Sequence, residues 1–81
     1  MNFSETAIER ISMALALSPE EIPNYTEVLD DTPEKLLYCW RPGREGMHLI
    51  TDYEGNLLLA VGSFPVEKLL EEYNKGTRTH F

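Results

Sequence analysis

The sequence predicts one α+β domain in which a helix precedes a three-stranded antiparallel meander and a second helix follows it. Three observations predict this arrangement: apolar residues recur at helical spacing near both ends of the chain, short apolar runs fill its middle, and turns containing Gly, Pro or Asn separate those runs. A chain of 81 residues has room for a single hydrophobic core. We expect both helices to pack on the same face of the sheet.

The first part of the chain is predicted to form a helix and an acidic connector. Ile11 and Leu15 recur at helical spacing within residues 1–17, and Ser4 is positioned as the N-cap of that helix. Residues 18–34 then allow only one helical turn, because Pro23 pushes the residue before it out of helical geometry. The rest of this segment is expected to be an irregular connector.

The three predicted strands lie within residues 35–62. They are the apolar runs at residues 36–40, 47–51 and 57–61. The connections between them contain Pro42-Gly43 and Gly55-Asn56, which are typical of tight turns. Connections this short can join only antiparallel neighbours, so the strands are expected to form a meander.

The last predicted element is a helix over residues 64–75, followed by a short tail at residues 76–81. Leu69 and Tyr73 share one face of this helix, and Gly76 is suited to the left-handed position that ends it. All the elements are expected to belong to a single domain that spans the chain.

Acidic residues are concentrated in the first part of the chain. The net charge is −7, and residues 1–34 carry eight acidic side chains and one basic one, while the remaining residues are balanced. Such a surface repels nucleic-acid phosphates and anionic lipids, so we expect neither direct nucleic-acid binding nor membrane binding. It attracts a basic protein partner, although the same charge could serve solubility alone.

The chain offers little catalytic chemistry. Cys39 lies between two aromatic residues in an apolar run and is expected to pack as a small apolar side chain. His48 is expected to be an exposed or locally hydrogen-bonded strand residue, and the sequence contains no motif for nucleophilic catalysis, phosphate binding or metal binding. We therefore expect a protein that is not an enzyme and uses no cofactor or metal. A single cysteine and an N-terminus without signal-peptide features indicate the cytoplasm.

Three segments are candidates for binding a partner, and one of them, residues 77–81, is more simply explained as a frayed tail. The first is the loop after the first predicted strand, which supplies residue types enriched in binding hot spots: Trp40, Arg41 and Arg44. The alternative is that the tryptophan belongs to the core and the arginines are solvated. The second is the acidic connector, which either binds a cationic partner or is a solvated loop. Its candidate residues are Tyr25, Asp30, Asp31 and Glu34.

The segment at residues 62–73, Gly-Ser-Phe-Pro-Val-Glu-Lys-Leu-Leu-Glu-Glu-Tyr, follows a turn that contains Asp52, Gly55 and Asn56. In this pattern, residues 36–75 resemble the small bacterial immunity proteins of polymorphic-toxin systems. In those proteins a helix-first α+β domain ends in a strand, a proline turn and a helix bearing Leu and Tyr. The resemblance implies a non-catalytic cytoplasmic inhibitor that binds its toxin, and it assigns no binding residues.

The function hypothesis that follows is an acidic, immunity-like or other stoichiometric inhibitor that occludes a basic protein partner. Two alternatives stay open. One is a small structural homodimer joined through an exposed sheet edge. The other is a small-ligand or enzymatic domain that uses His48, Cys39 or Arg41.

Overall fold

The computed structural model describes residues 3–43 and 46–79. The elements in chain order are α1 (Glu5–Leu15), a 3-10 turn (Ile22–Tyr25), β1 (Thr26–Val28), β2 (Leu37–Trp40), β3 (His48–Thr51), β4 (Leu57–Ala60) and α2 (Val66–Asn74). The strands form one antiparallel sheet in the order β1-β2-β3-β4. The predicted α+β class with two helices is confirmed, but the sheet has four strands where three were expected.

The additional strand, β1, lies inside the segment predicted to be an irregular connector. Thr26 pairs with Cys39 and Val28 with Leu37, so β1 runs antiparallel to β2. A strand of three residues is too short to show a clear alternating pattern, and its pairing with β2 is what holds it in place. The predicted order α-β-β-β-α is therefore corrected to α-β-β-β-β-α.

The two helices cover opposite faces of the sheet, which corrects the prediction that both pack on one face. The core on the α1 face has as its buried members Ile11, Ala14, Leu15, Leu17, Ile22, Cys39, Leu49 and Leu57. The core on the α2 face has as its buried members Leu36, Ile50, Leu58, Leu69 and Tyr73. Neighbouring strand residues alternate between these cores because successive side chains point to opposite faces of a strand. The continuous apolar runs of the strands thus supply both faces, and each face needs a cover.

Local signals set the helix ends. The Ser4 hydroxyl accepts a hydrogen bond from the N–H of Ala7 at 3.0 Å, so Ser4 is the N-cap of α1, as predicted. Beyond α2, Gly76 adopts a left-handed φ of 95° and donates its N–H to the carbonyl of Tyr73, also as predicted. None of the described helices is long and apolar enough to cross a membrane.

The two edges of the sheet differ. Along β4, the N–H of Thr79 donates to the carbonyl of Leu57 at 2.8 Å, and the N–H of Leu59 donates to the Thr79 hydroxyl at 2.9 Å. Part of the predicted tail therefore covers this edge, and residues 80 and 81 lie outside the described residues. At the other edge, β1 has β2 as its only neighbour among the described strands.

Candidate functional site

α2 covers only part of its face of the sheet. Leu69 and Tyr73 of α2 pack over β3 and β4. The other half of this face carries Tyr38 and Trp40 of β2 and Glu27 of β1, whose positions alternate with those of residues on the α1 face. Tyr38 and Trp40 are half-buried and Glu27 is exposed. This uncovered half is the candidate functional site.

Four rings follow one another in the order Tyr25, Trp40, Tyr38 and His48, and we name them the aromatic row. Tyr25 lies at the edge of the sheet, where it also packs against the core of the α1 face. The Trp40 and Tyr38 rings stack with their centroids 5.8 Å apart and their planes inclined by 27°. Tyr25 meets Trp40 edge to face at 6.3 Å, and His48 meets Tyr38 edge to face at 5.6 Å. His48 of β3 is the cross-strand partner of Trp40 in β2, so Tyr38, two residues before Trp40, is its diagonal neighbour on the same face and within reach of its ring. Aromatic rings prefer such offset and edge contacts.

His48 is the buried end of the aromatic row. The residue is 5% exposed, and its Nδ1 lies 2.8 Å from the Tyr38 hydroxyl oxygen. Its Nε2 is buried with no hydrogen-bond partner among the described residues. Burial lowers the pKa of His48, because the interior disfavours the charged imidazolium. His48 is thus a neutral, locally hydrogen-bonded strand residue, in agreement with the sequence-based expectation.

A groove of about 440 Å³ lies between the aromatic row and the loop that leads into α2. Tyr38, Trp40 and His48 line it from the sheet, and Phe64 and Val66 line it from the loop and the start of α2. Its volume is within the range of roughly 300–1,000 Å³ that is usual for ligand sites. Phe64 is 40% exposed, so the groove presents apolar surface to solvent.

The guanidinium of Arg41 is bound to the C-terminal end of α1. Its Nη1 donates to the carbonyl oxygens of Leu15, at 2.7 Å, and of Ala16. The carbonyl groups at the end of a helix lack partners within the helix and carry partial negative charge, so the arginine satisfies and neutralises them. Arg41 therefore has a role inside the chain, and its contact with a partner stays a prediction. Arg44 lies outside the described residues.

The acidic candidates Asp30, Asp31 and Glu34 lie in the loop between β1 and β2, where all of them are exposed. This loop is at the opposite end of the hairpin from Tyr25 and Trp40. At about 3.3 Å per strand residue, the four residues of β2 separate the two ends by about 13 Å. The structure thus divides the predicted site residues into an aromatic end and an acidic end.

Thr32 shapes the loop that carries these acidic residues. Its hydroxyl donates to the carbonyl of Leu29 at 2.7 Å and accepts from the N–H of Leu36 at 2.8 Å. Thr32 is 7% exposed, and its hydroxyl satisfies the N–H of Leu36, while the Leu29 carbonyl also accepts from the Thr32 N–H. The carboxylates of Asp30, Asp31 and Glu34 lie at the surface of this loop.

The acidic side chains of the first part of the chain have no ionic partner within the described residues. Over residues 3–43 and 46–79, the ion pairs join only Lys75 to Glu71 and to Glu72. Glu21 accepts hydrogen bonds from the hydroxyl and the N–H of Ser18, and these bonds lower its pKa. No cation of the described chain thus forms an ion pair with this segment, although the charge of Arg41 also contributes to the lowered pKa of Glu21.

A smaller cavity of about 250 Å³ lies beside the end of α2, where its lining includes Asp52, Tyr73 and Arg78. The Arg78 guanidinium lies over the Tyr73 ring, 3.5 Å from its centroid, and donates to the Tyr73 carbonyl at 2.7 Å. Burial alone would raise the pKa of Asp52, but hydrogen bonds from Asn56 and from backbone N–H groups outweigh burial and lower the pKa. Arg78 and Asp52 thus each have hydrogen-bond partners of their own within the chain.

Cys39 packs as an apolar residue, as predicted. It is 1% exposed, and burial raises the pKa of its thiol to about 11, although the Thr26 hydroxyl, 3.3 Å from Sγ, acts in the opposite direction. The thiol is therefore protonated at neutral pH and is a poor nucleophile. In the part of the chain that the structure describes, no group of three or more His, Cys, Asp or Glu side chains is arranged to hold a metal ion.

Comparisons of the chain with protein-family models, with curated proteins and with solved structures find no match. The resemblance to immunity proteins therefore stays a prediction. The candidate site rests on the geometry and chemistry of this chain.

Glu27, Tyr38 and Phe64 line or flank the site, although the sequence patterns do not single them out. One signal is available for Tyr38, because residues two apart in a strand share a face and Tyr38 thus accompanies Trp40. No local signal identifies Glu27 or Phe64. Their places depend on the pairing of β1 with β2 and on the face that α2 covers.

Proposed function

We propose that this protein is a non-catalytic binding domain for a basic protein partner. One observation carries the proposal: residues 1–34 hold eight acidic side chains and a single basic one. No ion pair involves these acidic side chains within the described part of the chain. Unbalanced charge of one sign accelerates and orients association with a protein of opposite charge.

Exposed acidic residues lie before, within and after β1 along the chain. Glu20 precedes β1, Glu27 lies within it, and Asp30, Asp31 and Glu34 follow it, with Glu34 beside Tyr73 at the end of α2; we name these exposed residues the acidic edge. Because Glu27 pairs with a residue of the aromatic row, the acidic edge adjoins that row. Aromatic side chains are enriched in the core of protein interfaces, and the rim of such interfaces is polar. The two features together favour a protein-binding surface.

β1 also offers backbone groups to a partner. The N–H of Leu29 donates to the carbonyl of Leu36 at 2.7 Å, so the next hydrogen-bonded position back along β1 is Glu27. The backbone groups of Thr26 and Val28 consequently point toward the free edge. An extended segment of a partner can add to such an edge as a further strand.

The form of the proposal that we favour is a stoichiometric, immunity-like inhibitor. A protein that acts on an anionic substrate binds that substrate through cationic groups. An acidic surface can occlude the substrate site because it forms the same ionic contacts with those cationic groups. The resemblance of residues 36–75 to immunity proteins supports this form. The burial of Cys39 and of His48 favours a role without catalysis, since both side chains are largely closed to a substrate.

Self-association through β1 is the alternative, and charge weighs against it. A two-fold axis at the centre of β1 would bring Glu27 opposite its own copy, and each chain carries a net charge of −7. Like charges directly opposite each other across two strands are destabilising. A basic partner has no such repulsion, which is why we favour it over a second copy.

The test is affinity capture from a lysate of the source organism, with binding at low salt and elution at high salt. We expect the chain to retain a basic protein that high salt releases, because salt screens the attraction between exposed charges. A bait with Asp30→Lys and Asp31→Lys should lose this protein. A control bait with Glu54→Lys and Glu67→Lys should keep it, since both baits change the net charge equally and differ only in where the charge lies.

The inhibitor form of the proposal requires two further results. The captured protein must bind the purified chain, and it must lose its own activity on binding. Retention by the Asp30→Lys, Asp31→Lys bait as strong as by the unchanged chain would exclude the acidic edge as the binding surface. If no partner is captured and the mass of the pure chain rises with its concentration, the homodimer replaces the proposal.

A further inference from the structure

We propose that the groove beside the aromatic row binds a small monocarboxylate with an apolar body. The carboxylate accepts hydrogen bonds from the start of α2 and from His48, and the apolar body lies along the rings. His48 and Arg41 were two of the candidates for a small-ligand role, and both line this groove. The proposal does not depend on the basic partner, so it goes beyond the proposed function.

Two buried nitrogen atoms without a partner belong to residues of this groove. Among the described residues, the buried side-chain nitrogen and oxygen atoms that lack a hydrogen-bond partner are Nε2 of His48 and Nε of Arg41. Buried polar groups in proteins are nearly always hydrogen-bonded, so an unpaired one requires an explanation. An acceptor bound in the groove would explain both atoms, since both residues line it.

His48 supplies a donor that is more than nine-tenths buried. The residue is 5% exposed, and its Nδ1 lies 2.8 Å from the Tyr38 hydroxyl oxygen. In the proposed complex this hydroxyl donates to Nδ1, so the neutral ring carries its proton on Nε2. Nε2 then donates to the carboxylate of the ligand.

The start of α2 supplies further donors to the groove. The nine-residue helix begins at Val66, and both Pro65 and Val66 line the groove. The first bond of the helix runs from the N–H of Leu69 to the carbonyl of Pro65, so the N–H groups of residues 66–68 have no partner within the helix. Pro65 is the N-cap and gives them no side-chain acceptor. Anionic groups bind at such ends because free N–H groups and partial positive charge both favour them.

The charge around the groove is positive, although the net charge of the chain is −7. Arg41 is the only charged residue in the lining. Glu67 lies in the first turn of α2, but it is exposed and is not part of the lining. The acidic loop between β1 and β2 is at the opposite end of the hairpin from Trp40. Salt screens its repulsion, because the two ends are about 13 Å apart and the screening length is about 8 Å at physiological ionic strength.

The lining determines what the rest of the ligand must be. The groove has a volume of about 440 Å³, and its apolar side chains include Trp40, Met47, Phe64 and Val66. Small-molecule sites combine such an apolar lining with a few placed polar groups. An inorganic anion would leave the apolar side chains in water, and a cation would find no acidic side chain in the described lining. A carboxylate on an apolar body satisfies both parts of the groove.

The test uses nuclear magnetic resonance on the full chain labelled with nitrogen-15. Trp40 is the single tryptophan, so its indole N–H signal reports on the rings, while the backbone amide of Val66 reports on the start of α2. The probe is phenylacetate, and its controls are neutral phenylacetamide, cationic phenylethylammonium and acetate, which has no ring. We expect phenylacetate to shift both signals in a saturable way and phenylacetamide to bind about tenfold more weakly. The cation and acetate should cause no saturable shift.

A matched pair of variants at Val66 tests the donors of α2. Val66→Pro removes the N–H from the first position of the helix, where proline is well tolerated, and Pro65 already has the φ of −64° and ψ of 148° that suit a residue before proline. Val66→Ala keeps the N–H and shortens the side chain. We expect Val66→Pro to weaken binding of phenylacetate about fivefold and Val66→Ala at most about twofold. The remaining amide signals show whether both variants fold.

A second pair tests the buried nitrogen of His48. His48→Phe removes Nε2, whereas Tyr38→Phe breaks the same bond between Tyr38 and His48 but leaves both ring nitrogens in place. We expect His48→Phe to weaken binding about threefold and Tyr38→Phe less than about twofold. Equal weakening by the two variants would contradict the role of Nε2.

Three outcomes would overturn the inference: an indole signal that phenylacetate does not shift, equal affinities for the acid and its amide, or equal weakening by the two Val66 variants. Binding of the peptide acetyl-Gly-Gly-Phe, with its free carboxylate, more than tenfold tighter than phenylacetate would replace the small ligand with the end of a partner chain. The capture experiment is independent of these results. Failed capture with an intact phenylacetate-dependent shift would remove the proposed function alone.

Discussion

The two faces of the sheet are built from the same strands but are closed to different extents. On the α1 face, Leu17 and Ile22 extend the cover beyond the helix itself. On the α2 face, the nine residues of α2 provide the cover over β3 and β4. A helix is about 10 Å across and strands lie about 4.8 Å apart, so one helix covers about two strands. A four-stranded sheet therefore needs a second covering segment on each face. Within the described residues, Leu17 and Ile22 provide it on the α1 face, whereas the α2 face receives only Leu29 of the β1–β2 loop beside its helix.

The aromatic row lies where the cover of the α2 face ends. Tyr38 and Trp40 have rings large enough to stack on each other, and His48 joins them through the Tyr38 hydroxyl. The rings thus shield one another in place of a helix while keeping part of their surface open. We therefore expect residues on the α1 face to determine stability and residues on the open half of the α2 face to determine binding.

Truncation of a side chain should have its largest effect on the closed face. Leu49 is fully buried on the α1 face, and we expect Leu49→Ala to lower the free energy of unfolding by about 2–5 kcal/mol, because it removes apolar contacts and leaves a cavity. Phe64→Ala in the groove should cost less than about 1 kcal/mol, because that ring is already partly in water. Urea unfolding followed by circular dichroism measures both. Similar losses would show that the two faces are closed alike.

A second large effect is expected where α1 approaches the turn between β3 and β4. Gly55 has a φ of 93°, and a Cβ added to it would lie 2.9 Å from the Cα of Ala7. We expect Gly55→Ala to lower the free energy of unfolding by about 2–3 kcal/mol through backbone strain and overlap with α1. Gly43→Ala is the control, because Gly43 also has a positive φ but open space around it, and it should cost about 1 kcal/mol. Melting temperatures of the two variants test the difference.

The bond between Arg41 and α1 is expected to contribute less. Arg41→Gln removes a charged donor from the carbonyl oxygens of Leu15 and Ala16, and we expect it to lower the free energy of unfolding by about 1–2 kcal/mol. Stability and partner binding are to be measured on the same sample. If stability is unchanged while binding is lost, Arg41 contacts the partner and its contact with α1 is dispensable.

The smallest effect should come from pH, and it should arise on the α2 face. The pKa of His48 is lowered by burial in the folded chain, so the unfolded chain takes up a proton at a higher pH than the folded one. Stability is therefore expected to fall as the pH drops below about 6.5, the ordinary value for histidine. His48→Gln removes this titration, so its stability should vary less between pH 7 and pH 5. Urea unfolding at several pH values measures this; an equal slope in both proteins would assign the pH dependence to other groups.

Features that depend on neighbouring residues could be predicted from the sequence. Ser4 caps α1 by bonding three residues ahead, and Gly76 ends α2 through its own backbone conformation. Features that depend on distant pairing could not. β1 exists through its partner strand, and the face of α2 could not be chosen because Leu49 and Ile50 are both apolar and each face of β3 is suited to burial.

The candidate site shows the same division. Trp40 and Tyr25 are identifiable by residue type, since aromatic side chains are common in binding surfaces. The contact of Arg41 with α1 could not be predicted from residue type, because its hydrogen bond to Leu15 joins residues 26 positions apart. The charge of the acidic edge follows from counting residues, whereas its position along a free strand depends on β1, which the sequence does not predict.

The contact of Thr79 with β4 affects how many chains this sheet can join. A sheet with two open edges can add strands on both sides and grow without end into a fibre. Here the carbonyl of Leu57 and the N–H of Leu59 are already bonded to Thr79. Among the described residues, the β1 edge is thus the more open of the two. Strand addition at β1 would therefore leave this chain with an edge that is already partly bonded, which disfavours further growth of the sheet on its side.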